Sequence, residues 1–167
     1  MVDEMQSYAT QDEVVGIAIT LEELGRDFYE ALGGAAREPK VLQLCHRLAT
    51  DEIAHRNAFR RLQDDLAELG KSVLMSSEQA ACTRQRIEQQ VLPTADIIRR
   101  VACGGDVIEA LTMAVKMEAE AIRFYTHLAE NLPPENPVTT IIAEERNHLR
   151  LLSALRCGVE TDNRLQS

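Results

Sequence analysis

Tryptophan is absent from this 167-residue chain, which carries only three Tyr and three Phe, and aromatics make up 4% of it. Strands draw on aromatic and β-branched side chains, so this poverty, with Ala and Leu recurring throughout, points to helix. The four cysteines, Cys45, Cys82, Cys103 and Cys157, are scattered and form no C-x-x-C pair. That spacing speaks against a zinc ribbon, an iron–sulfur site or a disulfide framework, and is read as buried, reduced thiols in a cytoplasmic protein. No Lys/Arg cluster offsets a formal net charge of −9, which argues against nucleic-acid binding. No apolar run approaches the length of a membrane span, so no membrane association is expected. The opening residues, Met1 to Gln6, lack the basic-then-apolar layout of a signal peptide.

What is present is ordinary for a globular protein: 45% apolar and 27% charged residues. The length fits a single domain over 1–167 with a sizeable core. The acidic excess has two readings. It is either a device of solubility or, in part, the carboxylates of a cation site.

Apolar residues recur at steps of three and four in four long segments, predicting helices at about 11–32, 39–69, 106–130 and 137–157. The first opens at Thr10-Gln11-Asp12-Glu13, a capping box, carries Val14, Ala18, Leu21, Gly25, Phe28 and Leu32 on one stripe, and is expected to stop at Gly33-Gly34. The second starts at Pro39 and carries Val41, Cys45, Leu48, Glu52, His55, Phe59, Leu62 and Leu66, ending before Gly70. The third starts at the cap-like tetrad Asp106–Glu109 and carries Leu111, Val115, Glu118, Ile122, Tyr125 and Leu128. The fourth opens at Asn136-Pro137, carries Val138, Ile141, Glu145, His148, Leu152 and Leu155, and is expected to close at Gly158. A structureless crossover over 70–105 would be unusually long, so short helices near Ser77–Gln90 and Thr94–Ala102 are expected within it. The fold class is all-α, a four-helix bundle with a long crossover between helices two and three.

The chain also repeats itself. Glu22-x-x-Gly25-x-x-Phe28-Tyr29 is echoed by Glu118-x-x-Ala121-x-x-Phe124-Tyr125, and Asp51-Glu52-x-x-His55 by Glu144-Glu145-x-x-His148. Residues three apart on a helix share a side, so Glu-x-x-His offers an oxygen and a nitrogen to one neighbourhood. Four such helices facing inward can chelate two metals with glutamates between them. The heights agree: the midpoint of Glu22 and Glu52, position 37, falls inside the proposed 33–39 turn, and that of Glu118 and Glu145, 131.5, at the edge of the 131–137 turn. Charge closes as well, because four carboxylates match two divalent cations, whereas without metal they would carry a heavy desolvation and repulsion cost. A single Glu-x-x-His on a helix is usually a solvated pair. Here both copies sit on apolar stripes and follow a partner glutamate.

These two E-x-x-[GA]-x-x-F-Y and two [DE]-E-x-x-H segments resemble the ferritin-like superfamily, in particular the rubrerythrin-like diiron proteins, over roughly Gln11 to Arg156. The resemblance implies a left-handed bundle with an approximate two-fold between halves. It also implies Glu22, Glu52, His55, Glu118, Glu145 and His148 as ligands to two iron ions per chain, with zinc or manganese as possible substitutes. The pattern departs from rubrerythrins proper in two respects. The further carboxylate of the third helix is missing, the adjacent turns holding Val115 and Ala121, and no rubredoxin-like module with paired C-x-x-C is present. Electrons are therefore expected from a separate, rubredoxin-like donor. The stretch after Gly158 reads as too short for a fifth helix, which argues against a ferritin cage.

Asp51 and Glu144 are candidates to accept the free ring N–H of His148 and His55 from across the core; the other reading makes both solvent-facing. Tyr29 and Tyr125 lie two turns from the lone glutamates, either bonded to ligand carboxylates or simply packed in the core. His46 and His127 read as surface or boundary residues, and Glu23, Glu120 and Glu130 as a solvated face. The function expected is an oxidoreductase in which Fe(II) pairs react with hydrogen peroxide or dioxygen, in a homodimer. The alternatives are an iron-sequestering ferroxidase and a bundle merely stapled by metal.

Overall fold

The computed structural model describes residues 9–70, 76–86, 107–133 and 136–165. Among them are five helices and no strand: α1 (Gln11–Ala35), α2 (Pro39–Glu68), α3 (Ser77–Arg86), α4 (Val107–Glu130) and α5 (Val138–Leu165). Local chemistry sets the first boundary of the chain's helices. The Glu13 amide donates to Thr10 Oγ1 at 3.2 Å while the Thr10 amide donates to Glu13 Oε2 at 2.8 Å, closing the capping box. Pro39 occupies the first turn of α2, where its missing N–H is not needed. Gly70, at φ +59°, follows the end of α2 in the left-handed conformation that glycine adopts without steric cost.

Two helix ends differ from expectation. α1 runs through Gly33-Gly34 to Ala35, and α5 runs through Gly158 to Leu165. None of these glycines has the positive φ of a helix stop. Gly33 instead serves packing: a Cβ there would lie 3.1 Å from Cys45 Cβ, so its absence lets α1 and α2 close together. Beyond Gly158, Val159 is buried against the core and extends the helix. In the crossover, α3 covers part of the first expected short helix. The second, Thr94–Ala102, lies outside the described residues, as do the Asp106 cap and Cys103.

α1 pairs with α2 and α4 with α5 as antiparallel hairpins. The core falls into two apolar layers. One contains Val14, Ala18 and Leu21 of α1, Phe59, Leu62 and Leu66 of α2, Phe124 and Leu128 of α4, and Val138 and Ile141 of α5. The other contains Phe28 and Leu32, Cys45 and Leu48, Leu111 and Ala114, and Leu152 and Val159, from the opposite ends of the same helices. This ordering makes α2 and α4 parallel, which is why the chain needs a long crossover. Ala80 of α3 caps the first layer.

The stripe of α4 is shifted from the expected one: Val115 and Ile122 are half-buried, and Ala114, Met117 and Phe124 are buried in their place. The thiols also differ from expectation. Cys45 is buried, but Cys82 and Cys157 are exposed.

Candidate metal centre

Between the two apolar layers every helix of the bundle presents a polar side chain inward. Glu22 (α1), Glu52 and His55 (α2), Glu118 (α4), Glu145 and His148 (α5) are each only 1–5% exposed. No other polar or charged residue is as deeply buried among the described residues. Charged groups almost never reach such depth unless paired or ligating, so the placement needs a partner.

The six converge as two overlapping groups. One comprises Glu22, Glu52, His55 and Glu145, the other Glu52, Glu118, Glu145 and His148, and in each the donor atoms lie within 4.8 Å of one another. Glu52 and Glu145 belong to both. The imidazoles stack at a centroid distance of 5.7 Å and turn Nδ1 toward the carboxylates. His148 Nδ1 lies 2.9 Å from Glu145 Oε2. His55 Nδ1 lies 3.0 Å from Glu145 Oε1 and 3.6 Å from Glu22 Oε2, yet without hydrogen-bond alignment. His55 Nδ1 and Glu22 Oε2 are consequently buried without a hydrogen-bond partner. Orphaned polar atoms of this kind are rare and call for an absent partner. A cation among these lone pairs would satisfy both atoms, and the oxygen-and-nitrogen donor set suits iron, manganese or zinc.

The outer ring nitrogens are also held. His55 Nε2 donates to Glu144 Oε2 at 2.8 Å, and His148 Nε2 to Asp51 Oδ2 at 3.2 Å, each from the opposite hairpin. These bonds orient both rings with Nδ1 facing inward, so that loss of the Nδ1 proton would present its lone pair to a metal. Tyr29 of α1 donates to Glu118 Oε1 of α4, and Tyr125 of α4 donates to Glu22 Oε1 of α1. The reciprocal pattern follows the internal repeat. Both tyrosines are also wholly buried, so packing and hydrogen bonding coexist.

Electrostatics of the metal-free site show its cost. Burial, then the Glu22 charge, pushes the Glu52 carboxyl well above the usual range; burial, then Glu145, does the same to Glu118. Burial works against the charge of His55, but its contacts with Glu145 and Glu22 outweigh that and raise it to about 11. Burial also opposes the charge of Glu145, yet its close contacts with His148 and His55 bring it down to about 2. The metal-free centre therefore keeps protons where a cation would sit.

Other candidates fall where expected or nearly so. His46 is exposed. His127, near the surface, has Glu130 Oε2 at 3.4 Å from its Nδ1. Glu23 reaches Arg60 at 3.0 Å, bridging α1 and α2 from outside. A small cavity of about 20 Å³ adjoins the carboxylates between α1 and α4, lined by Leu21, Gly25, Met117 and Ala121 among others. Sequence reasoning passed over this feature; its only trace is the small residue three positions after each lone glutamate.

An all-α bundle that buries four glutamates and two histidines from its two hairpins is of the ferritin-like kind, with a carboxylate–imidazole cluster that could hold cations. The family model of rubrerythrin matches residues 13–156. The chain belongs to the rubrerythrin family. No curated protein and no solved structure matches it.

Proposed function

We propose that this chain is a dinuclear iron oxidoreductase that reduces hydrogen peroxide or dioxygen. The observation that supports it most directly is the pair of overlapping donor groups with His55 Nδ1 and Glu22 Oε2 left unpartnered at their centre. In this reading Glu22 and His55 in one donor group, Glu118 and His148 in the other, and Glu52 and Glu145 common to both would hold the ions. A bound Fe(II) pair supplies the two electrons that, with two protons, turn one hydrogen peroxide into two waters.

The chain's own contribution is placement. Glu144 and Asp51 hold the imidazoles with Nδ1 facing inward. Tyr29 and Tyr125 each hold one carboxylate oxygen, Glu118 Oε1 and Glu22 Oε1, and so fix the orientation of those side chains across the core. The apolar layers above and below exclude bulk water and strengthen every charge interaction between them.

Electrons reach the centre from a separate rubredoxin-like protein, and the chain works as a homodimer in the cytoplasm; the family resemblance and the free thiols support these parts of the reading. Among the described residues no helix is long and apolar enough to cross a membrane. The test is steady-state consumption of peroxide, and separately of oxygen, by iron-loaded protein supplied with a reductant and rubredoxin. Sustained turnover, abolished in Glu145→Ala, supports the reading. A single round of oxidation that leaves ferric iron bound would favour sequestration, and iron that stabilises the fold without any oxidation would favour a staple.

A further inference from the structure

Glu22 and Glu118 occupy repeat-related positions, and the residues just before them, Leu21 and Met117, are both 8% exposed. Both line the cavity of about 20 Å³ that adjoins Glu52, Glu118 and Glu145. A space of that size holds about one water-sized molecule. Its two large apolar walls differ in chemistry. The isobutyl group of Leu21 is inert, whereas the thioether of Met117 is polarizable and open to oxidation. Among the described residues that line the cavity, only Met117 carries sulfur. The donors of the metal centre are oxygen and nitrogen, so the sulfur has no part in holding the ions. Met113, one turn earlier on α4, is half-buried and serves as an internal comparison.

We propose that Met117 is an oxidation site through which excess hydrogen peroxide arrests the protein. Peroxide in the cavity meets the thioether. The sulfur lone pair forms an S–O bond as the O–O bond breaks, and the sulfur is oxidised by two electrons to the sulfoxide. The departing hydroxide takes up the proton of the transferred oxygen and leaves as water. The sulfoxide is polar and brings an oxygen into a space with room for about one water, so the next peroxide finds that volume filled. With reductant in supply, consumption at the ions keeps peroxide from the sulfur; when reductant runs short, the sulfur takes the oxygen. The inference rests on the peroxide-reducing reading above and adds to it a limit set by a residue that is not a ligand.

The test uses the full-length protein, metal-free and iron-loaded, treated with hydrogen peroxide without reductant and mapped by peptide mass spectrometry. Gain of one oxygen at Met117 is expected to run several-fold ahead of that at Met113, because the cavity holds peroxide beside the sulfur. Exposure alone predicts the opposite order, Met113 being half-buried and Met117 buried. In the iron-loaded samples, the peroxide consumption that survives treatment is expected to fall in step with the Met117 sulfoxide. Met117→Leu, a swap of nearly equal volume, is expected to retain most of its own starting activity over an exposure that removes most of the wild type's.

Leu21→Met puts a thioether on the facing wall and is expected to gain an oxygen at position 21 ahead of Met113. It keeps the test decisive should Met117→Leu fail to fold. The proposal is overturned if Met113 is oxidised before Met117, or if the surviving activity does not follow the Met117 sulfoxide. It is equally overturned if Met117→Leu is inactivated as fast as wild type, or if Leu21→Met stays unmodified at that position. Iron-loaded wild type that consumes no peroxide would instead overturn the function on which the arrest stands, while the metal-free peptide map still reads whether the cavity admits peroxide to the sulfur.

Discussion

In the metal-free chain Glu52 and Glu118 keep their protons well above the ordinary value of 4.5, chiefly because burial disfavours the charge. An acid whose folded value is raised stabilises the fold fully below its unfolded value and loses that contribution as pH rises through the folded one. His55, raised from 6.5 to about 11, behaves alike, while Glu145, lowered to about 2, contributes above 4.5 and loses its contribution as pH falls toward 2. The metal-free protein is therefore expected to weaken as pH climbs from 5 to 9, read from the denaturant midpoint. Cation binding has to displace the protons on Glu52, Glu118 and His55, so metal affinity is expected to rise over the same range. Calorimetry in buffers of different ionisation enthalpy measures the release directly; an affinity independent of pH would contradict it.

The partners of the outer ring nitrogens give a second test. Glu144→Gln and Asp51→Asn are each expected to weaken metal binding by about 10–100-fold in competition with a chelator. Glu144→Gln is expected to cost more, since its bond is shorter and Asp51 is shared with Arg47 at 3.6 Å. The six inward donors were readable in the sequence because each lies on an apolar stripe and recurs in the same order in both halves of the chain. The small cavity lined by Gly25 and Met117 was not, since it depends on distances between helices that no single segment encodes.

Helices as units were equally readable, but their ends were not. Thr10 and Glu13 announce the start of α1 through a local exchange of hydrogen bonds, and Thr10→Ala is expected to cost about 1 kcal/mol in chemical denaturation. Glycine is ambiguous in this respect. Gly70 stops a helix by its positive φ, whereas Gly33 sits inside one because Cys45 of α2 approaches it. Sequence alone does not tell these uses apart, since the second is set by the neighbouring helix. Gly33→Val is accordingly expected to destabilise the α1–α2 hairpin by about 1–3 kcal/mol, as overfilling a packed contact does. A variant as stable as wild type would show that the two helices tolerate a wider spacing. The misplaced stripe of α4 has a similar origin: a period of 3.6 permits two adjacent faces, and the partner helices select Ala114, Met117 and Phe124.

The bundle as a whole consists of two hairpins that bring matching glutamates and histidines to one level, sandwiched between two apolar layers. Up to that level the arrangement was implied by the repeat, the turns and the long crossover between helices two and three. A cation pair joining all four helices makes the layers cooperate, so loading is expected to raise the melting temperature, and the gain should grow with metal concentration above saturation. Anaerobic titration of the metal-free chain with Fe(II), read by equilibrium dialysis, puts the whole account at risk. A break near two irons per chain, falling to one or none in Glu52→Ala and Glu145→Ala, is the expected result. Saturation at zero in the wild type, or a stoichiometry indifferent to both substitutions, would mean that these buried donors do not hold a metal pair.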